Sequence, residues 1–410
     1  MELKMNYQYT YFIHPFIIKE GKYQKYMLKM LKDSKFELKR FEKGKDLHVY
    51  KFFTPKLRDF LFSSFSFTNE KFNRFQELPI ETRAAILAKY PCNIFTYKLK
   101  KDIQGKAGNG KGIFFKIQKI EVICFQTGVC FLAIKTNIED SKDFSDLLNF
   151  NYKFRDINQE TGILNSYDNI SIQTDSFDNI ESFKQFISLV TGSNIEAIKL
   201  DIDTERFLTY SYACIDQEAW NSENHFEEFE HNFIKYANVL PADNIANLKK
   251  GEVIMFSKWK YAKMGLTKRC IVLMASSSDM NNYTILPEEY ENQYFYTYIF
   301  ALYKRIYLKK LGLECKEAIN KRKTRKKFID FTKNLWIQEV SENEIGTMIN
   351  QKLQEAFELD ELYYKIKNEY DTMYKELNIE KNSRITVAIT IVLVASLLFN
   401  VLNFVMLMKQ

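Results

Sequence analysis

Glycine and proline are scarce in this 410-residue chain, 13 and 6 in all, and histidine is scarcer still at 4. So few flexible or helix-breaking residues, with 46% hydrophobic and 15% aromatic content ample for a packed core, argue against extensive disorder. The cysteines, Cys92, Cys124, Cys130, Cys214, Cys270 and Cys315, form no Cys-x-x-Cys pair. That removes zinc knuckles and redox motifs and leaves reduced, mostly buried thiols of a cytoplasmic compartment. With only His14, His48, His225 and His231 available, a His-rich metal centre is not expected. No Ser/His/Asp or Cys/His constellation assembles from them, so neither enzyme activity nor a cofactor is expected. A secretory signal is also not expected, because Met1-Glu2-Leu3-Lys4-Met5-Asn6 carries charge where an apolar core is needed.

Charge, by contrast, disappears altogether from Ile385 to Met408, a run of 24 residues. At about 1.5 Å per residue such a helix is roughly 36 Å long, enough to cross a hydrocarbon core of about 30 Å. The expectation is a single-span, tail-anchored protein of the cell membrane with its N-terminal region in the cytoplasm. Lys381 and Arg384, just before the run, fit the positive-inside bias. A net charge of +7 suits a protein near anionic lipid, or one that binds an anionic ligand, without demanding nucleic acid.

The run is not uniformly apolar. Thr386, Thr390, Ser396, Asn400 and Asn403 fall within roughly 140° of the helix wheel at about 100° per residue. Amides without partners are costly in hydrocarbon, so the stripe calls for a partner helix or for water. Helix-to-helix packing and the lining of a polar pore both answer that demand, and both make the protein a homo-oligomer in the lipid bilayer.

Before the span the pattern reads as α+β: a mixed α/β cytosolic region with a largely antiparallel sheet, then long stalk helices and one C-terminal transmembrane helix. Strands are expected at 7–18, 48–53, 93–99, 113–125 and 127–136, and helices at 21–33 and 79–89. A polar stretch from Asp156 to Asp178 separates an N-terminal sensing region, 1–155, from residues 156–286, a second α/β region or a continuation of the same sheet. In the latter, a helix is expected near 180–191, an acidic one near 223–238 and a strand at 206–214. Glu252 to Ala262 and Lys268 to Ala275 form a hairpin turning at Gly265. Residues 287–384 read as a helical stalk, interrupted at Gly312 and restarted by a capping box at Ser341-Glu342-Asn343-Glu344. Its final helix, from about Glu358, carries Leu359, Leu362, Ile366, Tyr370, Met373 and Leu377 at helical spacing toward the transmembrane helix, 385–408.

Two segments are candidate ligand contacts. Gly105-Lys106-Ala107-Gly108-Asn109-Gly110-Lys111-Gly112 approaches a phosphate loop, but Gly112 occupies the magnesium-binding hydroxyl position and a strand follows where a helix is required. It reads as a hairpin loop whose Lys106 and Lys111 can meet an anionic ligand. Lys258, Trp259, Lys260 and Arg269 combine charge and aromatic faces as contact with a nucleotide or other anionic small molecule requires, although an exposed strand gives the same alternation. The run Lys321 to Lys327 is a solvated helical face or a contact with anionic lipid or a neighbouring subunit. His225, Glu228 and His231 do not converge on a metal, since His231 lies about 240° round the wheel from His225.

Long helices feeding a C-terminal membrane helix through Tyr370-Asp371-Thr372-Met373-Tyr374-Lys375-Glu376-Leu377-Asn378 resemble the CorA family of divalent-cation channels and its divergent relatives, over about residues 287–404. The resemblance implies a homo-oligomer with a funnel of cytosolic domains and a pore built from the helix that continues the stalk. Phe399-Asn400-Val401-Leu402-Asn403 stands where CorA proteins carry Gly-Met-Asn before a second span, so magnesium selectivity is not implied. Some CorA-like proteins are membrane effectors of bacterial antiviral systems gated by a nucleotide messenger. The expected function is therefore a ligand-gated channel or pore-type effector passing inorganic ions. The rival is a tail-anchored scaffold that does not conduct, and a membrane-tethered nuclease or nucleotide hydrolase comes third.

Overall fold

The computed structural model of the chain describes residues 3–42, 44–62, 69–99, 103–107, 113–139, 141–157, 170–174, 177–180, 182–192, 195–196, 200, 204–244, 251, 253–317 and 321–408. The strands are β1 (Met5–Ile18), β2 (Phe36–Leu38), β3 (Cys92–Tyr97), β4 (Ile103–Ala107), β5 (Ile113–Phe125), β6 (Val129–Ile138) and β7 (Ile170–Thr174). They continue with β8 (Phe177–Ile180), β9 (Ile195–Glu196), β10 (Leu208–Ile215), β11 (Ile254–Trp259), β12 (Ala262–Leu266) and β13 (Cys270–Ser276). The helices are α1 (Tyr23–Lys32), α2 (Leu47–Phe52), α3 (Pro55–Leu61), α4 (Asn69–Glu77), α5 (Ile80–Leu87), α6 (Phe144–Phe154) and α7 (Phe183–Thr191). After them come α8 (Glu230–Asn238), α9 (Asn281–Thr284), α10 (Leu286–Glu289), α11 (Phe295–Lys316), α12 (Lys321–Asp330), α13 (Glu344–Phe357) and α14 (Leu359–Leu407). Helix and strand make up 54% and 23% of the chain, so the class is mixed α/β.

Two compact units form: Met1–Tyr307 with Ile337–Glu358, and Leu308–Trp336 with Leu359–Gln410. The first is built on one sheet in the order β11-β12-β13-β10-β1-β6-β5-β4-β7-β8, with β2 and β3 joining at β5 and β9 at β1. Among the described residues β10 and β13 pair parallel and the other pairs are antiparallel. Both faces of β1 are buried for a reason its sequence states: alternate residues are apolar or aromatic on each side. Phe12 meets Phe150 and Phe154 of α6 at 5.8 and 4.1 Å, while Tyr11, pointing the other way, meets Phe295 at the start of α11 at 4.5 Å. Strands on both sides of Asp156 belong to this sheet, since β4 pairs with β7 and β1 with β10. Residues 158–169 of the polar stretch lie outside the described residues.

Several local expectations are corrected. Residues 48–53 are mostly helix rather than strand: α2 turns Val49 and Phe52 inward together, three residues apart, as only helical spacing allows. The hairpin expected around Gly265 is three strands, with the reversal at Lys260 and Tyr261 and Gly265 inside β12. Gly265 is there because α8 packs closely over β12; a Cβ at that position would stand 2.8 Å from Phe233 Cζ. The acidic helix begins later than expected, a 3₁₀ turn at Phe226–Glu228 preceding α8. Gly312 does not interrupt α11, where a Cβ would collide with Ile366 Cδ1. The cap of α13 is Asn343, whose side chain accepts from Ile345 N at 2.9 Å, while Ser341 Oγ, two residues earlier, donates to the Phe52 carbonyl and accepts from Asn343 N at 3.1 Å. Gly265→Val is expected to cost about 1–3 kcal/mol through overpacking, read as a lower melting temperature of the full chain in detergent, with Gly265→Ala costing less.

Candidate functional site

In the second unit, Leu308–Lys316, α12 and the first half of α14 pack together. Tyr370 donates its hydroxyl to the Leu311 carbonyl at 3.1 Å, Phe328 stacks on Tyr370 at 4.4 Å, and Trp336 stacks on Tyr363 at 4.5 Å. The stripe read from the sequence supplies the inward face, with Leu359, Ile366, Tyr370 and Met373 buried. Beyond Leu377 every described residue of α14 is exposed, and this helix is long and apolar enough to cross a membrane.

The five polar residues of the span are not equivalent. Thr386 Oγ1 donates to the Asn382 carbonyl and Thr390 Oγ1 to the Thr386 carbonyl, both at 2.9 Å, so these hydroxyls are satisfied within their own helix. Ser396, Asn400 and Asn403 have no side-chain hydrogen bond among the described residues. These three fall within roughly 60° of one another on the wheel, so the unmet demand is concentrated in a narrower seam than the whole stripe.

The candidate ligand residues do not form one site. Lys106 lies on β4 and Lys258 on β11, seven places apart in the sheet order, which at about 4.8 Å per strand separates the strands by roughly 34 Å. Of the Lys106 side chain nothing is described, and Lys111 lies outside the described residues. Lys258 Nζ is engaged by Glu344 of α13 at 2.5 Å. Trp259 packs beside Tyr294 at 6.0 Å, Lys260 Nζ sits 5.0 Å from the Tyr261 ring centre, and Arg269 is exposed ahead of β13. Among the described residues no three His, Cys, Asp or Glu side chains come together as a metal site.

Sequence reasoning missed a buried ion network between the sheet and the turn that leads into α11. Glu121 of β5 takes Lys39 Nζ at 2.8 Å and Lys119 Nζ at 3.4 Å, and Lys119 reaches Glu291 at 3.6 Å. Glu291 also binds Lys135 at 2.6 Å and accepts the Tyr11 hydroxyl at 2.7 Å. Burial pushes the Glu121 carboxyl up, but Lys119 and Lys39 together more than offset it and hold the group at about 2. Glu291 is likewise held below its ordinary value: burial raises it, and Lys119 and Lys135 outweigh that. Glu291 sits in a π-helical turn, Tyr290–Tyr294, and the Tyr210 hydroxyl donates to the Tyr290 carbonyl at 2.6 Å. Alternation along β5 does not reveal it, because the register shifts between Ile117 and Lys119 and both faces of the strand are buried around Glu121.

No protein family, curated protein or solved structure matches this chain.

Proposed function

We propose that copies of this chain associate within a membrane through Ser396, Asn400 and Asn403, and that the resulting bundle conducts inorganic ions under the control of a ligand bound by the α/β unit. The observation that carries this reading is the seam of three polar side chains, without a side-chain hydrogen bond among the described residues, on an otherwise apolar, exposed helix. In hydrocarbon those groups are costly unless another helix or water meets them, and a bundle with a wet axis supplies both. The α/β unit would lie in the cytoplasm, with Lys381 and Arg384 at that surface. The resemblance of the pattern over about residues 287–404 to CorA-family channels agrees with a homo-oligomer, and extends the proposal to a nucleotide-triggered effector of bacterial antiviral defence.

Full-length protein reconstituted into ion-loaded liposomes is expected to release its contents faster than protein-free liposomes. A bilayer that stays sealed while copies demonstrably associate would assign the seam to packing and the protein to scaffolding.

A further inference from the structure

The face of α12 formed by Arg322, Arg325, Lys326 and Ile329 lies opposite the face of α14 formed by Leu377 and Lys381, and between them is a cavity of about 540 Å³. The two helices run antiparallel, since Phe328 meets Tyr370 while Arg325 meets Tyr374 and Lys321 meets Glu376. Moving along α14 toward the span, the seam therefore changes from stacked aromatic rings to facing cations. Such positions between packed helices ordinarily hold apolar residues. Here Ile329 and Leu377 are the aliphatic residues of the lining.

Among the described residues the cations are not fully neutralised by carboxylates. Glu376 is spent on Lys321 at 3.4 Å and Glu314 on Lys327 at 2.9 Å. Among the described residues Arg322, Lys326 and Lys381 have no carboxylate partner, and Arg325 lies over the Tyr374 ring at 3.7 Å. α12 has no acid in its first turn, so positive side chains crowd the positive end of its dipole. The Tyr374 phenol is lowered by its hydrogen bond with Asn378, and further by the charges of Arg325 and Lys381. Helix dipole, side chains and phenol all report one unfilled demand for negative charge.

We propose that this cleft binds the phosphate of an anionic phospholipid headgroup, held by Arg322, Arg325, Lys326 and Lys381, with Asn378 donating a hydrogen bond. Arginine forks suit phosphate oxygens, and the aliphatic side chains of Ile329 and Leu377 in the lining suit the glycerol backbone. Position favours a lipid over a dissolved anion: Lys381 precedes Ile385 by one helical turn, roughly 6 Å, which is about the depth of the headgroup layer outside the hydrocarbon core. The inference rests on α14 spanning the bilayer, and resistance of the full chain to carbonate extraction tests that premise separately.

The test is native mass spectrometry of the full chain in neutral detergent, titrated with phosphatidylglycerol, phosphatidylcholine or inorganic phosphate. Phosphatidylglycerol is expected to bind at least about tenfold tighter than phosphatidylcholine, and the triple variant R322Q/R325Q/K326Q to lose about tenfold of that affinity. K365Q/K367Q, which removes exposed cations elsewhere on α14, is expected to change nothing. Should the triple variant fail to fold, Lys381→Gln alone, at an exposed position, is expected to weaken phosphatidylglycerol by about threefold. Equal binding of the two lipids overturns the proposal, as does an equal loss in the K365Q/K367Q control. Inorganic phosphate binding as tightly as phosphatidylglycerol overturns it in favour of a soluble ligand. A chain extracted by carbonate that still prefers phosphatidylglycerol in detergent would sink the span and leave the cleft standing.

Discussion

Replacing Asn400 and Asn403 together by leucine is expected to weaken self-association of the chain in liposomes by about 1–3 kcal/mol, roughly 5- to 150-fold, and to reduce ion release accordingly. The expectation follows from an inventory of partners rather than from polarity alone. Both amides lie on an exposed, apolar helix without a side-chain hydrogen bond among the described residues, so a neighbouring copy or water is the partner the proposal supplies. Thr386→Val and Thr390→Val, which lose only hydroxyls already bonded to the preceding turn, are expected to leave association nearly unchanged. Leu398→Asn, on the opposite side of the helix, should not restore what the amides lose. Energy transfer between separately labelled copies reads all of these. Equal association of the parent and the Asn400→Leu, Asn403→Leu chain would remove the reason for placing the seam between subunits.

The features of this protein legible in its sequence are those with one-dimensional signatures. An uncharged run long enough to span a bilayer needs no tertiary information. Neither do β1, β5 and β6, whose alternation and β-branched content announce strands. What stayed hidden depends on what a residue meets. Gly265 and Gly312 look like breaks and are close-packing points, because the bulk that excludes a side chain belongs to Phe233 and Ile366. The segment 48–53 has strand-like composition, yet burying Val49 and Phe52 on one side favours a helix. The run Lys321 to Lys327 reads as a solvated face until an antiparallel helix bearing Lys381 is laid beside part of it. The ion network is invisible for the same reason: Lys39, Glu121 and Glu291 are far apart in the chain and meet only through the sheet.

Glu121→Gln should therefore be among the most damaging single changes outside the span. The substitution keeps the shape and one acceptor but removes the buried carboxylate that Lys39 and Lys119 share, leaving Lys119 only its longer contact with Glu291 at 3.6 Å among the ion pairs of the described residues. The folded carboxyl at about 2, against an ordinary value of 4.5, corresponds to about 3 kcal/mol, in line with the cost of breaking a buried pair. For a unit of this size that is a fall of roughly 5–10 °C in melting temperature, measured on the full chain in detergent. Because the folded value lies below the unfolded one, this stabilisation is complete above pH 4.5 and is lost as pH falls toward 2, with Glu291 contributing in the same sense. His14 produces a separate loss at higher pH. Burial alone pulls it from 6.5 to about 4, so the neutral ring is favoured and stability declines as pH drops from 6.5 to 4. The parent chain should thus lose stability on acidification in two stages, and Glu121→Gln should keep the upper stage while flattening the lower one. Adding Lys39→Met to Glu121→Leu should cost less than the two changes summed, since each removes the charge that the other strands. A lower stage that survives Glu121→Gln undiminished would show that the network does not hold this carboxylate in its charged form.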